Sequence, residues 1–181
     1  METRIPDPFP WPDDEVCVEF GRASYYSHKL ERELKLLLLA AQAANIIQIT
    51  IPTRKNINTG ELEPVSETVE EYLYNETLGP LIYLYGKHDG WRDKKLKKKL
   101  FSALFARNEL AHTALERHDP MHYEMPDRTE LIGRLKELRF RIGIPYIIMR
   151  EVRKIIEERI GITEEQLQAM LMKWSKESYE G

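Results

Sequence analysis

Residues 91–116 read WRDKKLKKKLFSALFARNELAHTALE, with neither glycine nor proline in the stretch. Leu96, Leu100, Ala103, Leu104, Ala111, Ala114 and Leu115 recur three and four residues apart, which places them on one face of a long α-helix. The flanking segments follow the same period. From about Ser24 to Ile47, an apolar face is formed by Leu30, Leu34, Leu37, Leu38, Ala41 and Ala44. Ser66 opens a further helix whose face holds Val69, Leu73, Leu78, Leu81, Ile82 and Tyr85. Gly79-Pro80 is expected to kink or restart it, because proline has no N–H to give the preceding turn. A glycine-flanked link, Gly86-Lys-His-Asp-Gly90, then leads into the 91–116 helix.

Downstream, Asp127-Arg-Thr-Glu130 has the form of a capping box, the aspartate accepting an N–H while the glutamate reaches back. A helix is expected from there to about Phe140, an interruption at Gly143 and Pro145, and a second half to about Arg159. Gly161 ends that half, and Thr163-Glu-Glu-Gln166 is a second capping box opening a terminal helix to about Lys176. Strand-type alternation is nearly absent. Residues 50–66, with Pro52, Asn56, Asn58, Gly60 and Pro64, read as a long loop with a short hairpin around Asn58-Thr59-Gly60. Prolines at 6, 8, 10 and 12 favour an extended arm. The expected fold is all-α: an antiparallel four-helix bundle with an extra C-terminal helix, residues 1–23 forming a proline-rich N-terminal arm and residues 24–181 a single helical domain.

Composition bounds the function classes. At 181 residues and 21.4 kDa, 42 % hydrophobic and 31 % charged, the chain suits one domain with a real core and is no disordered polymer. One cysteine, Cys17, excludes an internal disulfide framework and argues against a cysteine-based zinc site. The longest uncharged apolar run, Leu36 to Ile47, contains Gln42 and Asn45 and is too short to span a bilayer. No secretory signal is visible, so the expectation is a soluble cytoplasmic protein without a membrane partner. The net charge of −3 conceals segregation. Residues 61–76 carry six acids and no base, whereas residues 92–99 carry six bases and one acid.

The usual enzyme signatures are absent: there is no phosphate-binding glycine loop, no Gly-x-Ser-x-Gly, no His-Glu-x-x-His and no cysteine pair. What stands out is Arg107-Asn-Glu-Leu-Ala-His112, inside the most regular helix. Two other arginine–histidine spacings occur, Arg117…His122 and Arg22…His28, but the first crosses Pro120 and the second straddles a helix start. With Arg107 at zero and about 100° per residue, Asn108 falls at about 100° and His112 at about 140°, with Leu100, Ala111, Leu104 and Leu115 between them. An arginine beside such an apolar sector needs a partner or a groove. The ordinary reading is an interfacial arginine and a satisfied histidine between helices.

The motif Arg-Asn-x-x-x-His, reached through Leu100-Phe-Ser-Ala-Leu-Phe-Ala106, resembles the signature of the HEPN superfamily (higher eukaryotes and prokaryotes nucleotide-binding), all-α domains with an arginine followed four to six residues later by a histidine. Glu76-Thr-Leu-Gly-Pro-Leu-Ile82 resembles the start of a helix in some HEPN-like bacterial proteins. The resemblance covers roughly residues 24–160 in helix order, with motif character only in these two stretches. The Gly143–Pro145 break and the proline arm depart from the pattern. The resemblance implies a metal-independent endoribonuclease needing no cofactor, active as a homodimer, in which two Arg107–His112 pairs face each other. It further implies an RNA substrate (tRNA or mRNA), a role as toxin or antiviral defence effector, and an antitoxin or other protein inhibitor. An imidazole exchanges protons near neutral pH, which suits His112 to an RNA 2′-hydroxyl or leaving 5′-oxygen. Arg107 would hold the phosphate with its planar fork, and Asn108 would orient phosphate or imidazole.

Arg92, Lys94, Lys95, Lys97, Lys98 and Lys99 lie on the same helix and are candidate RNA-binding residues, the far end roughly 20 Å from the motif at 1.5 Å per residue. Trp91, Tyr83 and Tyr85 are candidate stacking residues. A solvated helix face and ordinary packing are the plain readings of these. His118-Asp-Pro-Met-His122-Tyr-Glu124 matches no common metal spacing and is read as a polar loop, so no metal site is assigned. The alternatives to a nuclease are a non-catalytic HEPN-like module binding RNA, a nucleotide or a protein, and a helical interaction protein without nucleic acid.

Overall fold

Leu30, Leu34, Leu36, Leu37, Leu38, Leu39 and Ala40 are all buried, and from Leu36 to Ala41 the first helix is apolar all round, which places these turns at the centre of the molecule. A computed structural model describes residues 14–66, 68–89, 93–112 and 127–177. It is all-α apart from one hairpin. The described elements are α1 (Asp14–Ala43), β1 (Thr53–Lys55), β2 (Leu62–Pro64), α2 (Val69–Asn75), α3 (Leu78–Asp89), α4 (Lys94–His112), α5 (Asp127–Ile160) and α6 (Glu164–Glu177). Among the described residues no helix is long and apolar enough to cross a membrane.

Helix α1 begins at Asp14, about ten residues before the expected start at Ser24, so part of the stretch assigned to the arm is helical. Its polar first turns find partners on α5: Glu15 pairs with Lys136 and the buried Glu19 with Arg139. Residues 1–13, including the alternating prolines, lie outside the described residues. The helix ends at Ala43 rather than Ile47. Asn45 adopts a left-handed conformation (φ 53°), and the Ile46 N–H returns to the Ala41 carbonyl, which closes the helix as a glycine would.

The expected hairpin forms, with Thr53 opposite Pro64 and Lys55 opposite Leu62. Asn56 organises the turn, its side-chain oxygen accepting from the Asn58 N–H at 2.8 Å, and Gly60 takes the positive φ that the turn requires. Thr68 caps α2 by accepting from the Glu71 N–H. The chain restarts at Glu76–Thr77. Pro80 therefore sits in the first turn of α3, where its missing N–H costs little. Gly86-Lys-His-Asp, read as a link, continues α3 to Asp89.

The contacts of α1 and α5 climb both helices in the same order: Glu15 with Lys136, Glu19 with Arg139, Glu33 with Arg153. This central pair is parallel, which corrects the expectation of a wholly antiparallel arrangement. Helix α4 supplies the return stroke. Its Ser102 meets Arg141 and its Glu109 meets Arg134, the reverse order, so α4 is antiparallel to α5.

Helix α5 is continuous through Gly143 and Pro145, where a break was expected. Interior proline costs about 3 kcal/mol by removing a hydrogen bond and clashing with the preceding turn. Here Leu135, Leu138, Ile142 and Met149, all fully buried, hold both halves on the core. At about 1.5–3 kcal/mol for each large side chain buried, that packing outweighs the penalty. Tyr26 of α1 packs over the buried Gly143. The Thr163–Gln166 capping box opens α6 as expected, the Thr163 N–H donating to Gln166 at 2.8 Å and the Gln166 N–H to Thr163 Oγ1 at 3.3 Å. The capping side chain of Asp127 lies outside the described residues.

Candidate functional site

Asp93 fixes the start of α4. Its Oδ1 accepts from the Lys95 and Leu96 N–H groups at 2.8 and 3.1 Å, the N-cap geometry. From that cap the helix buries Leu96, Leu100, Ala103, Ala106 and Leu110. This stripe is rotated from the expected one. Ala106 and Leu110 are inside, Leu104 is only partly buried beside Gly79 of α3, and Ala111 is exposed. Ala114 and Leu115 lie outside the described residues.

The rotation decides where the candidate site residues stand. Arg107 borders the buried stripe and is partly buried, with Nη1 donating to Asn108 Oδ1 at 3.3 Å. Asn108 and His112 are exposed. Arg107 and Asn108 are therefore in contact, whereas His112 projects about 140° away around the helix, toward solvent. The Glu109 carboxylate is gripped by Arg134 of α5, with both oxygens at 2.6 Å. That bond, against the opposing effect of burial, holds the Arg134 guanidinium firmly protonated.

Lys94, Lys95, Lys97, Lys98 and Lys99 are all exposed, and Arg92 lies outside the described residues. They do not share one face. At about 100° per residue, Lys94, Lys97 and Lys98 fall on the side of His112, while Lys95 and Lys99 fall well round the helix. The side of His112 also carries two aromatic rings missed in the sequence as functional candidates. Phe105 is 66 % exposed, and partly buried Phe101 has Lys97 Nζ 6.0 Å from its ring centre. Lys94, Lys98, Phe101, Phe105, Asn108 and His112 follow one another at alternating spacings of four and three, so they form one solvent-facing strip. The heptad spacing was visible in the sequence; which of two apolar sectors faces outward was not.

Tyr83 is exposed on α3, whereas Tyr85 is partly buried among core residues. Trp91 and the His118–Glu124 loop lie outside the described residues. Among the described residues no group of three or more His, Cys, Asp or Glu side chains is placed to hold a metal ion. No family model, curated protein or solved structure matches the chain.

Proposed function

We propose that this chain is a HEPN-type endoribonuclease that cuts RNA at a composite site formed across a homodimer. The observation that carries the reading is the Arg107-Asn-x-x-x-His112 motif on α4, with Asn108 and His112 ending an exposed strip of lysines and phenylalanines. Helices α1, α3, α4 and α5 correspond in this reading to a HEPN-like four-helix core, and α6 to the extra C-terminal helix. Lysines at one end of the strip attract the phosphate backbone, and Phe105 offers an exposed ring to an unstacked base.

In the reaction the ribose 2′-oxygen attacks the adjacent phosphorus while the bond to the 5′-oxygen breaks. One His112 takes the 2′-proton, and His112 of the second copy gives a proton to the leaving oxygen. Arg107 stabilises the charge that gathers on the phosphoryl oxygens. The products are a 2′,3′-cyclic phosphate and a 5′-hydroxyl, and the action fits a toxin or defence effector restrained by a protein inhibitor. Within one chain Arg107 and His112 point apart, so completing a site requires the second copy.

The test is incubation of end-labelled tRNA and mixed cellular RNA with the purified protein in EDTA, beside His112→Ala and Arg107→Ala. Cyclic-phosphate products from the wild type alone support the nuclease. Salt-sensitive RNA retention without products supports the second reading, a non-catalytic RNA-binding module, which the outward direction of His112 away from Arg107 favours.

A further inference from the structure

At the end of the molecule remote from His112, the C-terminal turns of α1 and α3 and the second half of α5 leave a cavity of about 350 Å³. Leu38 and Ala41 form its floor, Val152 and Ile156 its α5 wall, and Ile46, 53 % exposed, stands in its lining next to the left-handed Asn45. His88 completes the wall from α3, and its Nε2 is buried with no hydrogen-bond partner among the described residues. Such groups are uncommon in native proteins because the lost hydration is not replaced. Burial, followed by repulsion from Lys87, lowers the imidazole's affinity for a proton.

The side chains lining the cavity around His88 are aliphatic except for the Tyr85 ring, so a buried water, which needs two to four polar partners, has few side-chain partners there. No Asp, Glu, Lys or Arg side chain lines the space among the described residues, so a charged occupant would find no opposite charge there in exchange for its hydration. A hydroxyl suits the site in either imidazole tautomer, since it both donates and accepts. The volume is at the lower end of the range for small-molecule sites, about 300–1,000 Å³. At about 30 Å³ per water-sized group, it holds about ten such groups.

We infer that this cavity binds a small uncharged amphiphile, an aliphatic chain or single ring bearing one hydroxyl, with the hydroxyl on His88 Nε2 and the apolar body against Leu38, Val152 and Ile156. The site is independent of α4 and of the nuclease reading. Its mouth adjoins a second, polar hollow lined by Gln42, Asn45 and Gln48, which shares Ile46 and Ile47 with it and gives the ligand a wetted route in.

The experiment is a titration of the full-length chain, labelled at histidine, with octan-1-ol and separately with octanoate, following imidazole resonances assigned through His88→Gln. Octan-1-ol is expected to move the His88 resonances saturably below about 1 mM, with octanoate at least tenfold weaker. Ile156→Phe and Val152→Phe, which fill the space from a partly buried wall, are each expected to weaken octanol at least tenfold while the other histidine resonances stay in place. A non-saturating response, an unmoved His88, or undiminished affinity in a folded filling variant overturns the site. Equal affinity for octanoate overturns its assignment to uncharged ligands.

Discussion

Arg134 on α5 grips both carboxylate oxygens of Glu109 on α4, Nε to Oε1 and Nη2 to Oε2, at 2.6 Å each. Glu109 lies between Arg107 and His112 in sequence, so this planar fork sets how the motif-bearing end of α4 is rotated on its neighbour. With Arg134 39 % and Glu109 25 % exposed, water screens the pair, and its energetic share is modest. A double-mutant cycle of Arg134→Met and Glu109→Gln in urea is expected to give a coupling of about 0.5–1 kcal/mol. Amide resonances of Asn108 and His112 should shift in both single variants. If they do not, burial of Leu100 and Leu110 alone orients the helix.

The network around Arg153 is of another kind. The Arg153 side chain is 1 % exposed, pairs with Glu33 of α1 and Glu157 of its own helix, and reaches Glu164 of α6 at 2.7 Å. It therefore ties three helices together. Removing it leaves carboxylates in a dry site, and Arg153→Met is expected to cost about 3–5 kcal/mol at pH 7. Burial raises the Glu33 carboxyl, with Arg153 opposing it, whereas for Glu164 burial, the largest single effect, is outweighed by the hydrogen bond and charge of Arg153 together with Arg32 and Gln168, and its carboxyl is lowered. The contribution of Glu164 is thus present above its unfolded pKa and lost as pH falls; that of Glu33 is present at acid pH and lost as pH rises through its raised value. Without the arginine both carboxyls gain from protonation. The stability gap between variant and wild type should narrow from pH 7 to pH 4.5 in urea titrations, and a constant gap would show that the carboxylates are not what Arg153 neutralises.

A Cβ added at Gly143 would meet the Tyr26 ring at 3.7 Å, an ordinary contact. Gly143→Ala is expected to stabilise the protein by about 1 kcal/mol, the helix-propensity difference, without disturbing α1. Destabilisation in thermal or urea unfolding would mean that the course of α5 past Pro145 depends on the glycine.

These cases show what was legible in the sequence. Helical period and the Thr163–Gln166 box gave the approximate places of the helices, because those signals are local. The continuity of α5 was hidden because burial against α1 overrides a local breaker. The early turns of α1 were hidden for a related reason: Glu19 looks like a surface residue until Arg139, far along the chain, pairs with it. On α4 the residue types of the candidate site were visible, but Phe101, Leu104 and Phe105 made a second apolar sector. Only packing against α3 and α5 selects Ala106 and Leu110 as the inner side.

That selection yields a test of the strip itself. Lys98 lies on the side of Phe105 and His112, whereas its neighbour Lys99 lies about 100° further round. If RNA follows the strip, Lys98→Glu should weaken RNA binding and lower its salt dependence more than Lys99→Glu does. Phe105→Ala, at an exposed position, should leave stability nearly unchanged and cost about 1–3 kcal/mol of RNA affinity through lost stacking. Equal effects of the two lysines, measured by filter binding across a salt series, would remove the strip from the binding surface.

The cavity histidine makes the last prediction. The folded His88 has a lowered pKa, by burial first and Lys87 second, so between its folded and unfolded values the unfolded chain holds more protons. Stability from this residue is therefore complete above the unfolded value of about 6.5 and is lost as pH falls through the folded one. Unfolding free energy should decline on acidification through that window, and His88→Gln, which cannot take up a proton, should flatten the decline. An amphiphile whose hydroxyl donates to the lone pair of neutral Nε2 competes with protonation of that atom. Saturating octan-1-ol should accordingly push the His88 titration, followed by its ring resonances, to still lower pH; an unchanged titration would place the alcohol elsewhere.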